Sequence, residues 1–171
     1  MITIRPETAD DYAAIAEVNA LAFGREVEPR LVEALRRSPE FIPELSLVAI
    51  EAARVAGHIL FSPMAIETKD GAVPALGLAP LAVRPELQNQ GIGSALVRDG
   101  LDRCRSLGHR IVVVIGHPAY YPRFGFSPAR PRGLEAPFPV PDEAFLALEL
   151  VPGALGGIAG VVKYPPAFDE A

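Results

Sequence analysis

The sequence predicts an α/β fold, a mixed sheet flanked by helices, and three observations predict it. Apolar residues recur at helical spacing over residues 12–35 and then shift to strand-like runs from Leu45. Ile111–Ile115 is almost purely β-branched, the mark of a strand buried on both faces. A glycine-bearing turn, Gln88–Ser94, joins an apolar run to a long amphipathic segment. The resulting order is strand, helices, three strands, glycine turn, helix, strand.

Each element has its own signal. Ile2–Arg5 reads as a first strand ended by Pro6. Thr8 and Asp11 have the spacing of a capping box, and Tyr12, Ile15, Ala16, Ala20 and Phe23 share one helical face after it. Pro29 suits the first turn of a second helix, with Leu31, Val32 and Leu35 as its stripe and a stop at Ser38 before Pro39. Leu45–Glu51 and Val55–Thr68 read as strands, the second bulged or broken at Pro63. Asp70-Gly71 marks a turn, and residues 73–84 form an apolar run interrupted by Gly and Pro. A helix follows over about Gly91–Leu107, with Ile92, Leu96, Val97, Leu101 and Cys104 inward and Gly108 as its stop. Beyond Ile115 the pattern gives a short helix at Pro118–Phe124, a Pro-rich loop over 128–141, and strands at Phe145–Leu150 and Ile158–Lys163.

Composition narrows the function classes. The chain has 171 residues, half of them apolar and 22% charged, which excludes disorder and a coiled coil. The length and the lack of any linker-like stretch predict one domain over residues 1–171. A net charge of −5 argues against a nucleic-acid partner, whose backbone needs a basic footprint. A single cysteine, Cys104, excludes an internal disulfide framework and a cysteine-cluster zinc site, so no metal is expected. The first residues lack a signal-peptide pattern, and the least polar stretches, 72–83 and 151–162, are too short and too rich in Gly and Pro to span a bilayer. The expectation is a cytoplasmic protein without a membrane partner.

The chemistry concentrates around Gln88-Asn89-Gln90-Gly91-Ile92-Gly93-Ser94. Glycines where the chain turns into a helix let successive amides converge on an anion, and the helix dipole adds partial positive charge. A pyrophosphate fits such a nest; a plain strand-to-helix turn is the other reading of a lone Gly-x-Gly. A dinucleotide fingerprint fails because Leu96 stands where Gly or Ala is required, and no Gly-Lys-Ser/Thr tripeptide exists for a P-loop.

Two separated motifs break the tie. Leu81–Leu96, containing Gln88-Asn89-Gln90-Gly91-Ile92-Gly93, resembles the acyl-CoA signature of the GCN5-related N-acetyltransferases. Gly116-His117-Pro118-Ala119-Tyr120-Tyr121-Pro122-Arg123-Phe124-Gly125-Phe126 resembles that family's second signature, in the form of a bacterial YhbS-like subgroup. The resemblance implies a mixed, mostly antiparallel sheet splayed between its fourth and fifth strands, with acetyl-CoA in the gap. It implies that the backbone of Leu81, Ala82 and Val83 pairs with the pantetheine arm and that Gln88, Asn89, Gln90, Gly91, Ile92, Gly93 and Ser94 hold the pyrophosphate. It also implies a reaction: direct attack of a primary amine on the thioester, with Tyr121 as the acid that protonates the departing thiolate. Phenols stay protonated at neutral pH, so the residue type suits the role.

The base is open, because residues 76–84 hold no carboxylate. A water chain, Glu26, Glu28 and His117 are the candidates. Tyr120 reads as a packing or pantetheine-contacting residue, Cys104 as core, and Arg84, Arg98 and Arg123 as candidate phosphate partners. His58 and His109 carry no motif. The missing carboxylate keeps a second reading in view, a non-catalytic acyl-CoA-binding module. Residues 24–44 and 127–142 are expected to choose the acceptor, and the Pro-rich loop is a candidate lid or homodimer contact.

Overall fold

The computed structural model describes residues 1–170. Its elements in chain order are β1 (Thr3–Pro6), α1 (Tyr12–Phe23), α2 (Val27–Arg36), β2 (Ser46–Glu51), β3 (Arg54–Thr68), β4 (Gly71–Val83), α3 (Ile92–Ser106) and β5 (Ile111–Ile115). There follow β6 (Ser127–Pro128), β7 (Leu134–Glu135), β8 (Phe145–Glu149), β9 (Gly160–Lys163) and α4 (Ala167–Glu170). The chain divides into two compact units: Met1–Ser62 with Ala79–Arg103 and the segment from Pro166, and Pro63–Leu78 with Cys104–Pro165. Strands β3 and β4 and helix α3 run from one unit into the other.

In the first unit β1 pairs antiparallel with β2, and β2 pairs antiparallel with β3 from Ser46↔Leu60 to Glu51↔Arg54, shifting register between Ala49 and Ile50. Ile15 and Val18 of α1 and Leu31, Val32 and Leu35 of α2 bury against Val48, Val55, Leu60 and Ala82 of the strands. The α2 stripe is the one read from the sequence. The α1 face is corrected: of the residues expected to share it only Ile15 is buried, Tyr12, Ala16 and Phe23 are exposed, and Val18 and Asn19 face inward instead. Each fully buried Leu, Ile or Val adds roughly 1.5–3 kcal/mol relative to an exposed one. The capping box forms: the Asp11 carboxylate accepts the Thr8 N–H at 2.7 Å and is held by Arg5 at 2.7 and 3.0 Å. That hydrogen bond to Arg5 holds the Asp11 carboxyl below the usual range.

In the second unit β4 and β5 are parallel, β5 and β8 antiparallel from Ile111↔Glu149 to Ile115↔Phe145, and β6 antiparallel to β8. The far half of β3 pairs antiparallel with β9, which is parallel to β7. The β4–β5 ladder has only two residue pairs, Leu76↔Val112 and Gly77↔Val113, although β4 continues to Val83. The sheet is thus mixed and mostly antiparallel, and its parallel β4–β5 ladder is short. Val112, Val113 and Val114 are buried, as the β-branched run predicts.

Three further expectations are corrected. Pro63 does not break β3, which runs on between its neighbours in the sheet. On the edge shared by β2 and β9 it falls between the stretch paired with β2, ending at Leu60, and the stretch paired with β9, starting at Ala65. Its missing N–H interrupts neither ladder. The segment expected as a helix at Pro118–Phe124 contains only a 3-10 turn at Tyr121–Phe124. The Pro-rich stretch is not one uniform loop, since β7 and a 3-10 turn at Arg130–Arg132 lie within it and β6 ends at its first residue.

Candidate functional site

The residues expected to bind the cosubstrate, 81–83 and 88–94, lie in the first unit, and Tyr121 lies in the second. Leu81, Ala82 and Val83 end β4. The Arg84 N–H donates to Ala56 O at 2.9 Å, which ties this strand end to β3. Gly57 sits beneath it: a Cβ there would lie 3.0 Å from Ala82 O, 3.0 Å from Leu96 Cδ1 and 3.3 Å from Ile92 Cγ2. A glycine at this position lets the first turn of α3 pack directly onto the strands.

Between strand and helix the chain makes a 3-10 turn at Pro85–Leu87 and then an exposed loop. Asn89 and Gly91 take left-handed conformations, with φ of 63° and 89°. An asparagine tolerates that region better than most residues and a glycine without cost. The Gln88 and Gln90 side chains turn back along the loop, donating to Val83 O at 3.1 Å and Glu86 O at 3.4 Å. The Ala95 N–H closes on Gly91 O at 3.0 Å. Amides ahead of it in the first turn have no carbonyl one turn back, as at every helix start. Ile92 is buried and anchors that turn, while Gly93 and Ser94 are partly exposed. This loop can bind an anion through its backbone.

Tyr121 is 8% exposed. Its ring lies edge-on to Tyr120 at 5.1 Å between centroids and to Phe126 at 5.7 Å. The other side of the ring is against the backbone of Gly116, where a Cβ would come within 2.3 Å of Cε2. This explains the glycine of the Gly-His-Pro motif. Burial raises the hydroxyl well above the usual phenol value, with Tyr120 as a lesser cause, so it keeps its proton at neutral pH. Among the described residues no acceptor takes that proton. The group is a protonated, uncommitted donor.

The base candidates fare differently. Glu28 is buried and held by Arg25 through two bonds of 2.8 and 2.5 Å. His117 is exposed, and its Nδ1 accepts the Ala119 N–H at 3.2 Å. In that arrangement the neutral ring carries its proton on Nε2 and offers no second lone pair. Glu26 is exposed at the start of α2. Arg84 is corrected from phosphate partner to buried clamp: its Nε donates to Val55 O at 2.6 Å and its Nη1 pairs with Glu17 at 2.7 Å. The Arg123 guanidinium lies 4.7 Å from the Tyr120 ring centroid, and Arg98 is exposed. Cys104 is fully buried, and burial pushes its thiol up to about 12, as befits a core residue. Among the described residues no cluster of three or more His, Cys, Asp or Glu side chains could hold a metal ion. No helix of the described residues is long and apolar enough to cross a membrane.

Sequence reasoning passed over His58, which is the centre of a buried polar network. Its Nδ1 faces Asn19 Nδ2 at 3.2 Å and its Nε2 faces Ser46 Oγ at 3.0 Å. Ser46 donates onward to Glu7, which also takes two bonds from Arg36 at 2.7 and 3.0 Å. Since Ser46 donates to Glu7, its oxygen accepts from Nε2–H, and Nδ1 accepts from Asn19; this tautomer is assigned from the network. Burial, with the Arg36 charge as a lesser cause, lowers the imidazole to about 3. Five separate segments supply this network, and nothing in any one of them signals it.

The chain and its fold resemble known proteins. The acetyltransferase (GNAT) domain profile matches residues 3–129. YjhQ of Escherichia coli K12, an uncharacterized N-acetyltransferase, is 41% identical over 134 residues, 78% of this chain and 74% of that protein. YhbS of the same strain, also an uncharacterized N-acetyltransferase, is 35% identical over 168 residues, 98% of each chain. The crystal structure of E. coli YhbS in complex with CoA matches with a TM-score of 0.90 at 33% identity, covering 98% of this chain and 92% of that one. A GNAT family acetyltransferase from Brucella melitensis in complex with acetyl-CoA matches at 0.81 and 34% identity, covering 99% of each. The chain belongs to the GNAT family of N-acetyltransferases.

Proposed function

We propose that residues 1–171 act as one domain that moves an acetyl group from acetyl-CoA to a primary amine of a small molecule or peptide. The observation that carries this reading is the exposed loop with left-handed Asn89 and Gly91 at the start of α3, in a chain whose YhbS and Brucella relatives are crystallised with CoA and acetyl-CoA. In this reading the pyrophosphate lies on the amides of 88–94 and the pantetheine pairs with Leu81, Ala82 and Val83. The amine, deprotonated, attacks the thioester carbonyl and forms the C–N bond; the C–S bond breaks, and Tyr121 donates its proton to the departing sulfur. The proton that the new amide nitrogen gives up to solvent is matched by one that restores the phenol. The pH at which a phenol normally ionises lies far above neutral, and burial moves Tyr121 further in that direction, so the donor is present throughout the physiological range.

The committed state of Glu28 and of His117 Nδ1 leaves water, with the exposed Glu26 as an alternative, to take the ammonium proton. It also favours the second reading, a module that binds acyl-CoA without transferring it. A thiol-release assay with acetyl-CoA over a panel of amines, run beside calorimetric CoA binding, separates the two. Amine-dependent release supports transfer. Binding with no release for any amine supports the module, and no binding overturns both.

A further inference from the structure

The second unit contains a cleft that the acyl-transfer reading does not use. Its volume is about 390 Å³, within the range of small-molecule sites. It opens at the N-terminal end of β5, whereas Tyr121 follows the C-terminal end of that strand. Pro74, Ala75, Ile111 and Ile158 give it apolar walls, and Gly153, Ala154 and Gly156 of the turn after β8 add to the lining.

That turn is fixed in place. Glu149 accepts the Leu155 N–H at 2.8 Å and pairs with Arg132 at 3.1 Å, while Leu150 N–H donates to Arg110 O at 2.8 Å. Glu149 is therefore committed, and among the described residues no carboxylate pairs with the Arg110 side chain, which is exposed at the cleft. His109 lies beside it, half-buried, and burial lowers its imidazole, so a neutral hydrogen-bonding ring accompanies the cation. A cleft with apolar walls, one unpaired guanidinium and one neutral imidazole matches a ligand with a small apolar body and a single negative charge.

We propose that this cleft is a second small-molecule site, taking aromatic or short-chain monocarboxylates, with Arg110 on the carboxylate and the apolar walls on the body. A hydrogen bond from a guanidinium to a carboxylate is stronger than one between neutral groups. Benzoate and its neutral isostere benzamide are titrated against the full chain by amide NMR. Benzoate is expected to shift the amides of Gly108, Gly153 and Gly156. Arg110→Gln, a change at an exposed side chain, should weaken benzoate by about tenfold or more and leave benzamide unchanged. Ala154→Phe should abolish both by filling the slot. Absence of shifts at these amides at millimolar benzoate, or wild-type benzoate affinity in Arg110→Gln, overturns the proposal.

Discussion

His58 in the first unit and Tyr121 in the second are both buried ionisable groups held uncharged, by opposite means. Each His58 nitrogen faces a polar partner, and the chain of bonds continues through Ser46 to Glu7 and Arg36. Tyr121 is held by rings and by a glycine, and among the described residues its hydroxyl has no acceptor. Burial is the main cause of the uncharged state in both cases, with Arg36 a lesser cause for His58 and Tyr120 a lesser cause for Tyr121. What differs is whether the polar atom is left available, and only the hydroxyl is. Burial therefore makes one residue a structural fixture and the other a candidate proton donor.

The largest expected effect tests the second half of that contrast. Tyr121→Phe keeps the packed ring and removes only the hydroxyl. Under the proposed acid role turnover falls about 10²–10⁴-fold, while acetyl-CoA affinity by calorimetry is unchanged. Near-full turnover, with chemistry shown to be rate-limiting, would assign thiolate protonation to water or another residue.

His58→Leu tests the first half. It strands an Asn19 N–H and removes the donor to Ser46, and should cost about 3 kcal/mol in urea denaturation with little change in turnover per folded molecule. The pH dependence follows from the same bonds. The folded imidazole is lowered to about 3 from an ordinary 6.5, so its contribution is fully present above 6.5 and is lost as pH falls from there toward 3. A protonated ring would direct an N–H at the Asn19 donor and a charge toward Arg36. His58→Leu should flatten that part of the stability profile; an unchanged profile would assign the acid sensitivity elsewhere.

How much of this was legible in the sequence depends on the range over which each feature is decided. Periodicity located α3 and β5 to within a residue or two, because their apolar patterns are local. For α1 it gave the span but not the buried face, which is Ile15, Val18 and Asn19. The turn at Gly91 and the ring of Tyr121 were legible through motifs of a dozen residues. The two-residue strands β6 and β7 were not, since they exist only through backbone pairing with β8 and β9, about twenty residues or more away in sequence. Arg84 looked like a surface cation because its charge is visible and its clamp, Val55 O and Glu17, is not. The His58 network was invisible for the same reason.

Two glycines extend the comparison to the backbone. Gly57→Ala presses on Ala82 O, Leu96 and Ile92, and should displace the loop-bearing turn of α3. Gly116→Ala presses on the Tyr121 ring. The expected result is a double dissociation: Gly57→Ala weakens acetyl-CoA binding by about tenfold with turnover at saturation kept, and Gly116→Ala lowers turnover by about tenfold with affinity kept. Parallel losses of both quantities in both variants would mean that the strain spreads through each unit rather than staying at the contact.

The smallest expected effect comes from the neighbouring phenol. Tyr120 is only half-buried, its ring is edge-on to Tyr121 at 5.1 Å, and the Arg123 guanidinium lies 4.7 Å from its centroid. Tyr120→Phe preserves the edge contact and the ring face toward Arg123, so the Tyr121 ring should stay where it is. Because burial is the main cause of the raised Tyr121 value and Tyr120 a lesser one, the Tyr121 hydroxyl should also stay protonated. Turnover is therefore expected to change by far less than the roughly 10²-fold minimum for loss of a general acid. A loss of that size in Tyr120→Phe, with Tyr121→Phe nearly unaffected, would move the donor by one residue. The buried, uncommitted hydroxyl would then be the structural group, and the half-buried one beside Arg123 the reactive one.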